Sequence, residues 1–334
     1  MRANLILLAL SGCIAFGQDT ARVFHLHHIQ TEQDLNEFAT LVRTLSEVPQ
    51  LSSDPAQKTM SVRGTASQIA IAEFLFTELD RQTVPDSVAQ EFRVSNNADD
   101  VVRLFFLKHA ATGQDLQEVA TTVRTIAEIR RVFTYNTPKA LAVRATADQV
   151  ATTEFLVREL DQPADAKRAA SREYQMIDPA KHGETAVRVF YLPYAPTVQQ
   201  FQEVATTVRT IGEVRRIFTY NTPRALIVRG TPDQVALTAW MVGELGKPVT
   251  AGTASTTYHY PGDDRNGENL VRVFYIQGVP TIAAFQQLAT QIRTTTQMRR
   301  VFTYNASMAI TLRGNEAQLA TAEQMLQDRQ IASK

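Results

Sequence analysis

The string VRVFY occurs unchanged at residues 187–191 and 271–275. It belongs to a unit that appears four times. Arg22, Arg103, Arg188 and Arg272 mark the unit and lie 81, 85 and 84 residues apart. A second arginine follows 21 residues after each marker (Arg43, Arg124, Arg209, Arg293) and a third 41 residues after it (Arg63, Arg144, Arg229, Arg313), without a gap in any unit. The string RR[VI]FTYN recurs at 130–136, 215–221 and 299–305. Self-similarity at a fixed period makes the chain an array of small units instead of one large domain. Each unit has about 60 core residues, near the lower limit for folding around its own hydrophobic centre, so neighbours are expected to share buried surface.

The 34 Lys and Arg residues are balanced by 34 Asp and Glu residues, which argues against a large nucleic-acid footprint. The one cysteine, Cys13, leaves the rest of the chain without disulfides or a Cys-based metal site. Residues 1–17 read as an export signal: Arg2, an apolar run from Leu5 that extends through Phe16, and a small-x-small pattern at Ala15, Phe16 and Gly17. A competing reading takes LSGC at 10–13 as a lipoprotein box, with Cys13 carrying lipid. Both readings export the chain, to the periplasm or beyond in the first case and to the outer membrane in the second. No later segment approaches the ~18 apolar residues of a membrane span.

The third unit shows the local pattern most clearly. Residues 186–192 are β-branched and aromatic and predict a strand. Thr197 caps the next segment, with Gln200 completing a capping box. Phe201, Val204, Ala205, Val208 and Ile211 follow helical spacing, and Gly212 is expected to end the helix. Residues 214–220 and 225–228 predict a hairpin about the turn at Asn221, Thr222, Pro223 and Arg224. Thr231, Pro232 and Gln234 open a second helix, with Val235, Thr238, Met241, Val242 and Leu245 as its buried stripe and Gly246 at its end. Gln68, Gln149 and Gln318 match Gln234. The expectation is an α+β fold of four tandem βαββα modules, each a three-stranded sheet with two helices on one face. The modules span 19–82, 90–163, 172–248 and 256–334. Short segments at 91–94, 172–176 and 257–260 (with Phe92, Tyr174 and Tyr258) predict an added edge strand before modules two to four. Polar stretches at 95–100, 163–171, 178–184, 250–255 and 262–269 read as linkers.

The run NTPRALIVRGTPDQVA at 221–236 resembles the hairpin and second-helix start of secretin N-domains. These are the periplasmic ring-forming modules of bacterial type II and III secretion channels and of type IV pilus channels. Residues 140–161 and 60–80 echo it, down to the Leu-Asp endings at Leu160-Asp161 and Leu79-Asp80. The resemblance covers all four units and implies a strand-helix-strand-strand-helix fold and assembly with other proteins. The chain departs from the family after unit four, where no run of long alternating strands supplies the pore-forming barrel. The expectation is an N-domain array without a pore, working by protein–protein contact or self-association and connected to a secretion or pilus system.

Candidate contact residues are the arginine pairs and the strand after them: Arg130, Arg131, Phe133 and Tyr135; Arg215, Arg216, Phe218 and Tyr220; Arg299, Arg300, Phe302 and Tyr304. Alternation would put Arg131, Phe133 and Tyr135 on the open face of the sheet. The alternative use of this strip is to bind a ligand or nucleic acid. KH modules share the element order, but the Gly-x-x-Gly loop they need occurs in no unit. His25 and His27 share a strand face at period two, yet no Cys or acidic cluster joins them as metal ligands. No HExxH, GxSxG, CxxC or Gly-rich phosphate loop is present, so neither catalysis nor a cofactor is expected. Phe74, Phe155 and Trp240 occupy one helix position that holds Gln324 in unit four, whereas the FTYN strand is missing from unit one. This offset by one unit predicts head-to-tail packing, with each helix aromatic docked on the second strand of the next module.

Overall fold

The computed structural model describes residues 19–29, 31–81, 90–94, 100–163, 170–177, 183–247, 255–261 and 267–332. The expected export segment 1–17 with Cys13, and most of each expected linker, lie outside the described residues.

The first unit contains β1 (Thr20–His25), α1 (Glu32–Ser46), β2 (Gln50–Asp54), β3 (Thr59–Gly64) and α2 (Ala66–Leu79). The second contains β4 (Gln90–Arg93), β5 (Val101–Phe106), α3 (Gly113–Ile126), β6 (Arg131–Tyr135), β7 (Ala140–Ala145) and α4 (Ala147–Leu160). The third contains β8 (Tyr174–Gln175), β9 (Ala186–Tyr191), α5 (Val198–Gly212), β10 (Arg216–Tyr220), β11 (Ala225–Gly230) and α6 (Pro232–Leu245). The fourth contains β12 (Thr256–His259), β13 (Leu270–Tyr275), α7 (Ile282–Thr296), β14 (Arg300–Tyr304), β15 (Ala309–Gly314) and α8 (Glu316–Ala332).

The sheet orders are β1-β3-β2, β4-β5-β7-β6, β8-β9-β11-β10 and β12-β13-β15-β14. All pairings are antiparallel, and β4, β8 and β12 are the added edge strands, each paired with the first strand of its unit. The fold is α+β, built from repeated βαββα units.

Capping fixes where the helices start. Thr65, Thr146 and Thr231 form capping boxes with Gln68, Gln149 and Gln234. The same glutamines reach back to the end of the first helix. Gln68 Nε2 donates to Glu47 O at 2.6 Å, Gln149 to Ala127 O at 3.1 Å, Gln234 to Gly212 O at 3.2 Å and Gln318 to Thr296 O at 3.1 Å. One side chain therefore satisfies orphan groups at two helix ends. Gly212 ends α5, as its sequence suggested. It is the last helical residue, and the left-handed position falls on Glu213, with φ 52°. Glu47, Glu128 and Gln297 take the same conformation, which is unfavourable for a non-glycine residue by roughly 1–2 kcal/mol.

The Leu-Asp endings also have a local job. Asp80 accepts from His27 N and His28 N, both at 2.7 Å, and Asp161 from Lys108 N and His109 N, both at 2.7 Å. Each carboxylate thereby fastens the loop after the first strand to the end of the second helix. In the third unit Gly246 replaces the acid, and Tyr194 Oη donates to Val242 O at 3.0 Å. A Cβ on Gly246 would lie 2.6 Å from the Tyr194 ring, so only glycine fits there.

The first repeated arginine ties strand to helix. Arg103 pairs with Glu154 at 3.1 Å and Arg272 with Glu323 at 2.9 Å. The second covers the outer strand: Arg124 donates to Val132 O at 3.1 Å and Arg293 to Val301 O at 2.6 Å. Blocking exposed strand carbonyls limits edge-to-edge pairing.

Substituting Gln234→Ala should lower stability by about 1–2 kcal/mol in urea melts, through loss of the box and of the tie to α5. Gln324→Ala, on an exposed face of α8, should change it by less than about 0.5 kcal/mol.

Candidate functional site

The Phe and Tyr of the FTYN strand lie on the sheet face away from their own helices, whereas its Thr faces them, as Gln117 Nε2 donating to Thr134 Oγ1 shows. In the second module Arg131, Phe133 and Tyr135 pair with Arg144, Ala142 and Ala140, and paired residues share a face. Modules three and four repeat this register. The alternation is the one the sequence predicts, but the face is not open. α1 lies across β6, α3 across β10 and α5 across β14. Tyr135, Tyr220 and Tyr304 are 2%, 5% and 2% exposed. Phe133, Phe218 and Phe302 are half-buried against the core of the preceding module. The Phe/Tyr strip expected to meet an outside partner is covered by the protein itself, because the two helices of one module leave an apolar ridge that fits the next sheet. The same burial takes the tyrosines from a ligand- or nucleic-acid-binding surface.

The hydrophobic clusters follow this plan. The core of module one continues into Val102, Leu104, Tyr135, Ala140 and Ala142 of module two. That of module two takes in Val187, Val189, Tyr220, Ala225 and Ile227, and that of module three takes in Val271, Val273, Tyr275, Tyr304 and Ala309. Thus helices cover one face of each sheet from within its module, and in modules two to four the preceding module covers the other.

The third repeated arginine fastens these faces. Arg144 Nη1 donates to Leu45 O at 2.8 Å, Arg229 Nη1 to Ile126 O at 2.7 Å and Arg313 Nη1 to Ile211 O at 3.1 Å. Each acceptor is a last-turn carbonyl of the preceding module's first helix. A cation there meets an orphan acceptor and the negative end of the helix dipole. Arg229 and Arg313 are each only 2% exposed. Their charges are balanced from the helix end: Glu128 lies 3.4 Å from Arg229, and Glu213 lies 3.8 Å from Arg313. Their Nε atoms donate to Glu184 O and Glu268 O, both at 3.0 Å. Arg313 also stands 4.2 Å from the Tyr260 ring centroid.

The second arginine of each pair joins the same glutamates. Arg131 pairs with Glu47, Arg216 with Glu128, and Arg300 with Glu213 at 2.7 Å. The left-handed conformation belongs to the helix end, because Gln297 shares it; a glutamate there places a carboxylate beside both arginines. Arg130, Arg215 and Arg299 are exposed and have no ion pair or hydrogen bond among the described residues.

A second polar set joins the first helix to the next hairpin turn. Glu37 accepts from Asn136 N and Nδ2 at 3.3 and 3.0 Å, Glu118 from Asn221 N at 3.0 Å, and Glu203 from Asn305 N and Nδ2 at 2.9 and 2.7 Å. Asp115 accepts from Thr222 Oγ1 at 3.1 Å. Burial pushes the Asp115 carboxyl up, but hydrogen bonds from Thr112 and Thr222 outweigh it and hold the group below its ordinary value.

The helix aromatics dock on a different strand from the expected one. Phe74 lies 5.5 Å from Phe92, Phe155 4.9 Å from Tyr174, and Trp240 5.3 Å from Tyr258. All three partners stand on or beside the added edge strand of the next module. The first helix of the preceding module, and not the second, covers the second strand. The central aromatics of 91–94, 172–176 and 257–260 carried the signal. Among the described residues no group of three or more His, Cys, Asp or Glu could hold a metal ion.

Replacing Arg229 with Met should destabilise the protein by about 1–3 kcal/mol, since Ile126 O and Glu184 O lose their buried donor. Arg63→Met, at the equivalent exposed position of module one, should stay within about 0.5 kcal/mol in the same melts. Hydrogen bonds from Arg144 at 2.7 and 2.6 Å hold the Asp100 carboxyl below its ordinary 3.8, against the upward push of burial. Asp100 therefore contributes stability that is complete above the unfolded-state value and is lost as pH falls through the lower folded one. Urea midpoints followed from pH 6 to about pH 2 should fall less steeply in Asp100→Asn than in the parent.

Neither a family model nor a curated protein sequence matches the chain. Solved structures do. The N-terminal domain of the secretin XcpQ from Pseudomonas aeruginosa aligns at 16% identity and TM-score 0.19, over 43% of this chain and 63% of that one. Aeromonas hydrophila ExeD aligns at 16% identity and TM-score 0.17, over 69% of this chain and 41% of that one. The type II secretion system secretin GspD from E. coli K12 aligns at 13% identity and TM-score 0.17, over 69% of this chain and 39% of that one. The chain thus spans less than two thirds of the length of each of these structures, and its similarity to secretin N-terminal domains is one of structure.

Proposed function

We propose that this protein is an exported, non-enzymatic assembly protein of the bacterial cell envelope. It is periplasmic or secreted, with a lipid anchor at Cys13 as the alternative, and it acts by contact with a protein partner or with copies of itself. One observation carries this reading: nearly all the polar residues that the repeat preserves hold strands, helices and modules together. The markers Arg103 and Arg272 bind the second helix of their own module, Gln68, Gln149 and Gln234 join two helix ends, and Arg144, Arg229 and Arg313 join modules. A repeat preserved for architecture builds a long surface and not a cleft. Connection to a secretion or pilus system rests on the residue run 221–236 and its echoes.

The contact residues that suit this role are Arg130, Arg215 and Arg299, one exposed cation beside each covered strand. Exposed arginine is favoured at protein interfaces and binds carboxylates in a forked geometry.

Fractionation of a producing bacterium should place the chain in the envelope, and light scattering of the purified protein should show a complex or a self-assembly. Arg130→Glu, Arg215→Glu and Arg299→Glu together should weaken that association and leave the melting curve unchanged. A cytoplasmic location, or an assembly indifferent to the triple variant, overturns the corresponding part of the reading.

A further inference from the structure

The first sheet and the last helix pair lack the groups that join modules elsewhere. On the helix side, seven positions of module four differ from their counterparts. Gln287 stands where Glu37, Glu118 and Glu203 hold the next turn, and Gln297 where Glu47, Glu128 and Glu213 hold the next arginines. Ala284 replaces the Asp34 and Asp115 that reach Thr137 and Thr222. Leu45, Ile126 and Ile211 are fully buried, whereas the matching Thr295 is exposed. Leu41, Thr122 and Thr207 are fully buried, whereas Gln291 is exposed. Ile71, Thr152 and Leu237 are buried, whereas Thr321 is exposed. Gln324 replaces Phe74, Phe155 and Trp240.

The sheet side of module one mirrors this. Gln50, Ser52 and Asp54 stand for the Arg, Phe and Tyr of β6, β10 and β14. Pro55 stands for the turn asparagine, and Ser61 for Ala142, Ile227 and the fully buried Thr311. Gln50, Ser52, Asp54 and Ser61 are exposed. Arg63 keeps its type, as does Val23 in the place of Leu104, Val189 and Val273, and both are exposed.

We infer that the stack is closed at both ends: neither the first sheet face nor the last helix face accepts a further module of this kind from another copy. Each face would have to bury polar side chains without partners, which is unfavourable, and the helix face has lost every carboxylate that the module-joining arginines and asparagines bind. Repeat arrays stay soluble when their terminal faces are polar in this way. Association then runs through the flanks of the stack. This inference rests on the two faces and not on the envelope role, and it stands or falls without it.

The test uses the purified full chain with Cys13→Ser. One variant restores the helix side (Ala284→Asp, Gln287→Glu, Gln291→Leu, Thr295→Ile, Gln297→Glu, Gln324→Trp). A second restores the sheet side (Gln50→Arg, Ser52→Phe, Asp54→Tyr, Pro55→Asn). In sedimentation velocity each alone should match the parent, and a mixture should form a joined pair. Adding Arg63→Ala to the second variant should weaken that pair more than about tenfold. A mixture of folded variants that stays unpaired overturns the inference. A measurement that needs no restored variant is a short bis-maleimide cross-link between Ser52→Cys in one copy and Gln287→Cys in another. The matching Phe133 and Glu37 line one groove at the first junction. The inference expects no cross-link between copies, and an efficient one overturns it.

Discussion

A guanidinium buried at the end of a neighbour's helix is the contact on which the stack depends. Arg229 and Arg313 lose nearly all their water, and an unpaired charge in that position is strongly unfavourable. Three sources offset the loss: a helix-end carbonyl, a carboxylate at the same helix end, and a backbone carbonyl from the residues that lead into the module's first sheet strand. The first two come from the preceding module and the third from the arginine's own. The arginine is satisfied only when both modules are folded and in register, which makes it a check on correct stacking.

Several local irregularities follow from that requirement. The residue after the helix must be a glutamate where glycine would be easier, because glycine has no carboxylate. The acid and the hairpin asparagine fix rotation about the contact, and the aromatic pair on the added strand fixes the other flank. Apolar burial then supplies most of the adhesion, since each shared core continues from two helices into the next sheet. Specificity comes from the polar pairs, and they occur at all three junctions.

Much of this was legible in residue order. Thr231, Pro232 and Gln234 announce a capped helix because capping chemistry is local. Val204, Val208 and Ile211 announce a buried stripe because helical period is local. The offset between the helix aromatics and the FTYN strands announced directional stacking. What it could not say was which strand meets which helix. Phe74 and Phe133 are both aromatic and both offset by one unit, and nothing in their spacing separates a contact with Phe92 from one with Phe133. The left-handed position after α5 was not legible: Gly212 has the better intrinsic preference for it, yet it falls on the next residue, Glu213.

The sequence by itself determined the period, the element order, the caps and the non-equivalence of the two ends, because each follows from interactions within about four residues or from comparison of one unit with another. Only the tertiary structure decided that Arg131, Phe133 and Tyr135 face a neighbouring module instead of solvent, and that the third repeated arginine crosses from one module to the next. A strand's pattern shows that its two faces differ. It does not show what covers each face, since that depends on helices about 100 residues away in the chain and on the burial they create together.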